Sequence, residues 1–401
     1  MQMEDKKNIL MHKGVCLPLP QCVEIGDEVD PERILAGVTI HGGSKIYGRK
    51  TLICKGAQIG YESPVTIENC HLGPDVLLAG GFFKNAVFLK GAKAGPCAHV
   101  REGTIFEESA SIAHTVGLKQ TILFPYVTIG SLVNFCDCLM AGGTDAKNHS
   151  EVGSSYIHFN FTPLQDKATP SIMGDVPRGV MLNQEPIFLG GQGGLVGPAR
   201  LAFGTVIAAG TICRKDEFRP GRLIFGGPSS EGNIRRSALP AGNYTRIITN
   251  NVVYIGNLAA LHQWYVFVRR LFICEDFPLP LYEGLIDAIT AAIDERVKRL
   301  EDYICKIKMI NPDDKLLASW DPAVAMFRNP VYSGNTVVLR NQFLKAISNE
   351  IELKGCNYMT IIKSLSSDDA KAGTAWLDAV VADSGKPGFK MLKIGNSGEK
   401  R

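Results

Sequence analysis

AGPCAHVREGTIFEESASIAHTVGLKQTILF, residues 94–124, carries an apolar side chain at every sixth place: Ala94, Val100, Phe106, Ile112, Leu118 and Phe124. After a slip of one place the step resumes at Ile129, Phe135 and Ala141. A second run steps through Leu189, Leu195, Leu201, Ile207 and Cys213. Shorter pieces lie upstream, at Ile40, Ile46 and Leu52 and again at Ile53, Ile59 and Val65. With 45% of the chain hydrophobic, six hits in succession arise by chance at roughly 1% and five at about 2%. Two such runs therefore favour a real repeat. A helix would place apolar residues at i, i+3, i+4 and i+7, and a half-buried strand at every second position.

A period of six suits a coil with three short flat faces, each turning one apolar side chain inward and then bending. Small residues stand at the expected bends, among them Gly130, Gly142, Gly153, Gly190, Gly204 and Gly210. This is the hexapeptide pattern of a parallel β-helix, a mainly β fold in which stacked coils bury one apolar column. The rhythm breaks twice. Residues 143–150 (GTDAKNHS) are polar and off-phase, and residues 160–186 hold four prolines, Pro163, Pro170, Pro177 and Pro186. Loops ejected from a rigid rod are natural sites for function. Residues 1–250 are therefore read as the β-helix, with ejected loops near 143–150 and 160–186.

Residues 251–401 read as mostly helical. Residues 252–274 form one apolar stretch with Asn251 as an expected N-cap. Leu285, Ile289, Ile293, Val297, Leu300, Ile304 and Ile307 recur at helical spacing, so residues 281–308 form a long amphipathic helix. Its charged residues, including Asp294, Glu295, Arg296 and Arg299, read as a solvated face. This helix is expected to cap the open end of the rod and to make contacts between subunits. Asn311-Pro312 would end it. Beyond residue 313 the pattern is mixed. Residues 367–382 look helical, and residues 395–401 read as a mobile tail.

Composition narrows the function. Of 401 residues, Lys and Arg number 43 against 40 Asp and Glu, a net charge of +3. That is too even for a surface that tracks nucleic-acid phosphates. The polar start MQMEDKK has no apolar core after it. The chain holds 11 cysteines and no C-x-x-C pair, which argues for free thiols in a reducing cytoplasm. Cys136 and Cys138 form a C-x-C, and strand alternation places both on one inward face. Asn257, His262, Gln263, Arg269 and Arg270 interrupt residues 252–274, so a buried helix is expected there and no membrane span.

Residues 187–214, IFLGGQGGLVGPARLAFGTVIAAGTICR, resemble the acetyltransferase half of the bifunctional glucosamine-1-phosphate acetyltransferase / N-acetylglucosamine-1-phosphate uridyltransferase family. The matching residues are Leu195, Val196 and Pro198, then Ile207, Ala208, Ala209, Gly210 and Thr211. Upstream, Glu151-Val152-Gly153, Asn160-Phe161, Lys167 and Ile172-Met173-Gly174 are similar to that family's E-I-G, N-Y-D-G, K and I-I-G elements. The resemblance covers about residues 151–214. It implies a left-handed parallel β-helix of hexapeptide repeats, a homotrimer, and acetyl transfer from acetyl-CoA to the amine of a sugar phosphate or nucleotide sugar. It also implies that Asn160 and Phe161 contact the sugar, Lys167 its phosphate, and Gly191 and Ala209 the CoA groove. Two positions depart from the family: Phe161 replaces a tyrosine, and an ungapped count puts Gly143 where the family has its general-base histidine. The phosphate loop of the uridyltransferase half is absent from the N-terminal residues.

Acyl transfer to an amine needs a base, a donor for the oxyanion and a cation for the phosphate. His149 is the first candidate base and His158 the second. Asn148 and Arg178 join Asn160, Phe161 and Lys167 as candidate substrate contacts. Arg214 joins Gly191 and Ala209 on the cofactor side, with Arg222 as a further cation. Each has a plain structural alternative: a hydrogen-bonded loop histidine for His149, a packing residue for His158, solvated charges for Lys167 and Arg178. The same holds for the dibasic pairs Arg235-Arg236 and Arg269-Arg270. His114, His149 and His158 lack the H-x-x-x-x-H spacing of the zinc sites known on this fold, so no metal is expected. The rival function is a non-catalytic β-helix that binds a sugar nucleotide or serves as a scaffold.

Overall fold

A backbone that turns one aliphatic side chain inward at every sixth residue must round a corner after each short strand. The computed structural model describes residues 3–160, 167–226, 244–310 and 320–392. Its N-terminal part is a parallel β-solenoid of about 11 turns, followed by helices. One face is a ten-stranded parallel sheet. Its register stacks Ile40, Ile59, Leu78, Ala94, Ile112, Ile129, Val152, Leu189 and Ile207 in one buried column. The second and third faces form a single sixteen-stranded sheet. They merge because Gly117–Leu123 and Asn134–Met140 pass through the corner between them as continuous strands.

The run from Leu189 to Cys213 matches the register at every step. The earlier run departs once. Phe106 pairs with Leu123, not Phe124, and Leu123 pairs with Met140, not Ala141. That side of the coil is one residue shorter than a hexad, and the all-apolar segment Ile122-Leu123-Phe124 hides the slip. Upstream, Ile53 stacks on Leu72 while Leu52 pairs with His71, and Ile67 follows Ile46. Corners adopt left-handed backbone angles in columns. Between the second and third faces these are Asn69, Asn85, Gly103, Gln120 and Asp137, with φ from 48° to 73°.

The third face differs from the others in its outward column. His71, Val87, Ile105, Ile122, Leu139 and Ile172 follow one another in register and are all buried. Each such aliphatic side chain contributes about 1.5–3 kcal/mol when covered. Helices cover it. The chain holds α1 (Met3–His12), α2 (Val176–Gly179), α3 (Tyr244–Phe267), α4 (Leu279–Ile310), α5 (Trp320–Arg328), α6 (Gly334–Lys354), α7 (Tyr358–Ser364) and α8 (Ser367–Met391). Helix α4 packs on strands His71–Leu72, Ala86–Phe88 and Thr104–Phe106, and α3 on Ser171–Met173. One hydrophobic core joins coils and helices.

Several expectations change here. Helix α4 lies along the side of the rod and does not cap its end, because the apolar outward column of the third face offers more surface than a terminal rung. The N-terminal coil is closed by α1 instead, where the buried Lys6 donates to the carbonyls of Gly26, Asp27 and Val29. Helix α3 begins before Asn251, so that residue is no N-cap. It is buried in mid-helix and donates to Ala168 O at 2.9 Å. Asn257 likewise accepts from Val176 N at 2.9 Å. These amides fasten an apolar helix to the coils. Arg296 is not solvated but buried against Asp137 at 2.8 Å. The expectations at residues 311–312, 235–236 and 395–401 lie outside the described residues. No described helix is long and apolar enough to cross a membrane.

Candidate active site

Between Met140 on the third face and Val152 on the first, the chain detours through an antiparallel hairpin, Gly143–Asp145 with Asn148–His149. Asp145 accepts from Lys147 N at 2.8 Å and Thr144 Oγ1 from Asn148 Nδ2 at 3.1 Å, which sets the turn. Ser150 closes the neck, donating to Ala141 O and accepting from Ile187 N, each at 2.8 Å. Register places His149 directly opposite Gly143. A Cβ on Gly143 would lie 2.5 Å from His149 Cα, and its φ is +98°. Glycine is required there. His149 is half-buried, and its Nδ1 is enclosed without a partner. Asn148 is exposed.

His158 is placed quite differently. It occupies the inward column of the second face, in register with Leu195 and edge-on to Phe135. Its Nδ1 lies 2.7 Å from Cys136 O and its Nε2 2.8 Å from Ser171 Oγ. The carbonyl can only accept, so Nδ1 carries the proton and Ser171 donates to Nε2. Burial pushes the imidazole down to about 4. Both nitrogens are engaged and the ring is 3% exposed.

Asn160 and Lys167 lie at the corner between the second and third faces. Asn160 Nδ2 donates to Asp137 Oδ2 at 3.3 Å. The opposite oxygen of Asp137 holds Arg296 of α4, whose Nη1 donates to the backbone oxygen of Lys167 at 3.3 Å. Thr169 Oγ1 donates to Asn160 O at 2.6 Å. The Lys167 side chain is exposed. Phe161 lies outside the described residues. Asp137 was not singled out in the sequence and Arg296 was read there as solvated; a charge inside a corner column facing a helix is visible only once the two meet.

Arg178 sits on α2, tied to Asp175 at 2.9 Å and to Asp378 of α8 at 3.1 Å. It fastens α2 to α8 and is engaged by two carboxylates. Gly191 and Ala209 follow one another at the corner between the first and second faces. There the backbones close up: a Cβ on Gly190 would lie 2.4 Å from Ala209 N. Exposed Phe188, Val206 and Ile212 flank this narrow edge. Arg214 and Arg222 are exposed beside the last coils. The structure thus joins Asn160 with Lys167, and Gly191 with Ala209, but distributes the set over three corners.

The corner at Asp137 separates the C-x-C pair: Cys138 points into the core while Cys136 is half-exposed. Burial pushes both thiols up. Among the described residues no group of three His, Cys, Asp or Glu side chains could hold a metal ion. A cavity of about 730 Å³ opens elsewhere, between α4 and the corner column of Asn69, Asn85 and Gln120. Nothing in the hexad pattern marks it.

No family profile matches the chain. Curated relatives do. The bifunctional protein GlmU of Oleidesulfovibrio alaskensis is 26% identical over 51% of this chain and 40% of its own length. Those of Thermotoga petrophila and Pelobacter propionicus are 27% and 28% identical over 52% of the chain, and 41% and 40% of their own lengths. The chain is similar to the left-handed β-helix acyltransferases. The parallel solenoid fits that acetyltransferase domain. The match spans less than half the length of these GlmU relatives.

Proposed function

We propose that the chain is an acyl-CoA-dependent N-acetyltransferase acting on the amino group of a sugar phosphate or nucleotide sugar. One observation carries the reading. The resemblance puts the family's general base at Gly143, and the hairpin sets His149 directly across from it. Strand pairing thus brings the backbone of a histidine beside that position, which supports His149 as the base. His149 takes the ammonium proton of the acceptor, Asn148 and Asn160 with Phe161 contact the sugar, and Lys167 holds its phosphate. Removal of that proton frees the amine lone pair for attack on the thioester carbonyl, and the thiol of CoA leaves. Acetyl-CoA, the co-substrate, lies along the edge at Gly191 and Ala209, and Arg214 meets its phosphates. Arg178, the further substrate contact in this reading, is held by Asp175 and Asp378, which leaves it little remaining capacity for substrate.

In this reading the coils within residues 1–250 form the catalytic rod, and the helices from Tyr244 of α3 onward form its jacket. The working form in this reading is a homotrimer in the cytoplasm; self-association is supported by the exposed apolar residues Phe188, Val206, Leu223 and Ile212 on the last coils. Neither nucleic acid, membrane nor metal takes part. A second reading, a non-catalytic sugar-nucleotide-binding scaffold, is favoured by His158, which is sealed in the core and has no access to a substrate. Incubation with acetyl-CoA and glucosamine-1-phosphate, with thiol release as the signal, separates the two. Release that depends on both substrates supports the enzyme. Its absence at millimolar acetyl-CoA, with a sugar nucleotide still bound, supports the scaffold.

A further inference from the structure

The cavity between α4 and the corner column is built from residues that the proposed chemistry does not use. It measures about 730 Å³, within the range of about 300–1,000 Å³ that small-molecule sites occupy. Two of its side chains are more than nine-tenths buried and yet unpaired. His71 is 7% exposed, and neither ring nitrogen makes a hydrogen bond among the described residues or is sealed from the cavity. Gln120 is also 7% exposed, and neither end of its amide makes a hydrogen bond among the described residues. Buried polar groups are nearly always paired, so two unpaired ones on one cavity point to a ligand that pairs them. Helix α4 crosses His71 at Gly284, where a Cβ would lie 2.4 Å from the imidazole Cγ. Only glycine lets the helix come so near.

The walls restrict the chemistry of that ligand. The lining carboxylates Glu102, Asp287, Asp294 and Glu295 are already paired, to Lys119 at 2.6 Å, Lys50 at 2.7 Å, Arg328 at 3.6 Å and Arg299 at 2.8 Å. They outnumber the lining cations Lys50, Lys298 and Arg328, which disfavours an anion. Burial, then Arg33, pushes His71 down to about 4, so at neutral pH it offers one donor and one acceptor. The Gln120 amide offers both as well. An apolar ligand would leave all of these unpaired. A nucleobase would find no aromatic side chain to stack on except His71, the one ring in the lining. Hydroxyl groups, which both donate and accept, fit the pair. We propose that this cavity is a second binding site, for a neutral carbohydrate, whose hydroxyls pair with His71 and Gln120 while its C–H faces lie against Ala86, Val87, Ala288 and Ala291. Register places Gln120 two rungs before Asn160 on the same corner, about 10 Å along the rod. The site holds whether or not the chain transfers acetyl groups.

The test is calorimetry on the full chain with three neutral probes, maltose, methyl α-glucoside and N-acetylglucosamine, and no acyl donor. At least one saturates, with a Kd in the millimolar range or below. His71→Phe keeps a ring beside Gly284 but removes both nitrogens, and Gln120→Asn shortens the amide. Each weakens binding roughly tenfold or more. Ala291→Trp, at an exposed position of α4, obstructs the cavity without altering its floor and abolishes binding. Lys93→Gln, on the exposed side of the first face, leaves it unchanged. In protein carrying ¹⁵N-labelled histidine, the imidazole signal missing from His71→Phe shifts as the sugar saturates. No saturable binding of any probe up to roughly 10 mM, or binding indifferent to Ala291→Trp, overturns the proposal. Binding lost with His149→Asn but kept in His71→Phe puts the sugar at the hairpin and also overturns it. Uridine binding in place of the three sugars, with the same losses, defeats the carbohydrate assignment.

Discussion

The interior of the interrupted coil and the hairpin ejected from it each hold a histidine, and the two are treated in opposite ways. His158 replaces an aliphatic residue in the inward column and is acceptable because Cys136 and Ser171 satisfy both ring nitrogens. His149 leaves the column altogether and keeps one nitrogen without a protein partner. A buried polar group stabilises a fold only when its hydrogen bonds are complete. A base needs a nitrogen that substrate can reach; Nδ1 of His149 is enclosed, so in the proposed chemistry that task falls to Nε2. Sequence proximity to the matching motif is common to both; only the partners distinguish them.

Substituting His149 tests this contrast most sharply. His149→Asn keeps a polar side chain of smaller size and is expected to lower kcat by about 10²–10⁴, with thermal stability changed little, as read by thiol release and calorimetry. An unaltered kcat breaks the assignment of chemistry to the hairpin. The exterior of the coil gives the next largest effect. Ile122, buried beneath helices, and Thr128, half-buried on the first face, both point outward from the same turn. Ile122→Asp strands a charge under the helical jacket and should cost about 4 kcal/mol or more. Thr128→Asp should stay within about 1 kcal/mol. Equal costs in urea unfolding would mean that the third face is not the covered one.

His158→Leu comes third. It restores an aliphatic column but leaves Cys136 O and Ser171 Oγ short of a partner, a loss of about 1–3 kcal/mol. Because the ring lies away from solvent, kcat of the folded variant should stay within a few-fold of the parent, the opposite of the His149 outcome. The pH dependence follows with its sign. His158 has an ordinary value of 6.5 and is held at about 4 when folded. Unfolded chains bind the proton first as pH falls, so this stabilisation is complete above 6.5 and is lost between 6.5 and 4. His71, buried under α4, is likewise held at about 4 and adds to the same acid limb. Glu107 works the other way. Burial, then Glu108, raises it to about 7, so its contribution is present below 4.5 and fades as pH rises through 7. His158→Leu should therefore flatten part of the slope between pH 6.5 and 4. An unchanged slope would mean that the ring is not sealed.

Much of the rod was legible in the sequence, because one inward aliphatic residue per side is a local demand. Leu189 to Cys213 could be placed without error. The slip at Leu123 could not, since Ile122, Leu123 and Phe124 are equally apolar and only pairing with Phe106 distinguishes them. The helices were legible as helices but not in their placement. Arg296 looks solvated by periodicity, and its burial depends on Asp137, a residue on a distant coil. The candidate site was half legible: the loops were visible as breaks in the rhythm, whereas the pairing of Gly143 with His149 needed the hairpin itself.

The smallest effect concerns the outer surface of the last coils. Glu151, Phe188, Val206 and Leu223 follow one another in register on the first face, so a polar outward column turns apolar over its final rungs. Phe188 is 41% exposed, Val206 38% and Leu223 62%. These side chains gain little from folding, and Phe188→Ser should leave the unfolding midpoint of the isolated subunit unchanged. In an assembly they would be covered, and losing part of one aromatic contact weakens association by about 1–2 kcal/mol, roughly tenfold. Sedimentation velocity over a concentration series should then show the variant dissociating at higher protein concentration than the parent. A Lys93→Ser control on an earlier, polar rung of the same face should not. If both behave alike, the apolar rungs take no part in self-association, and the edge at Gly191 and Ala209 would have to work within a single chain.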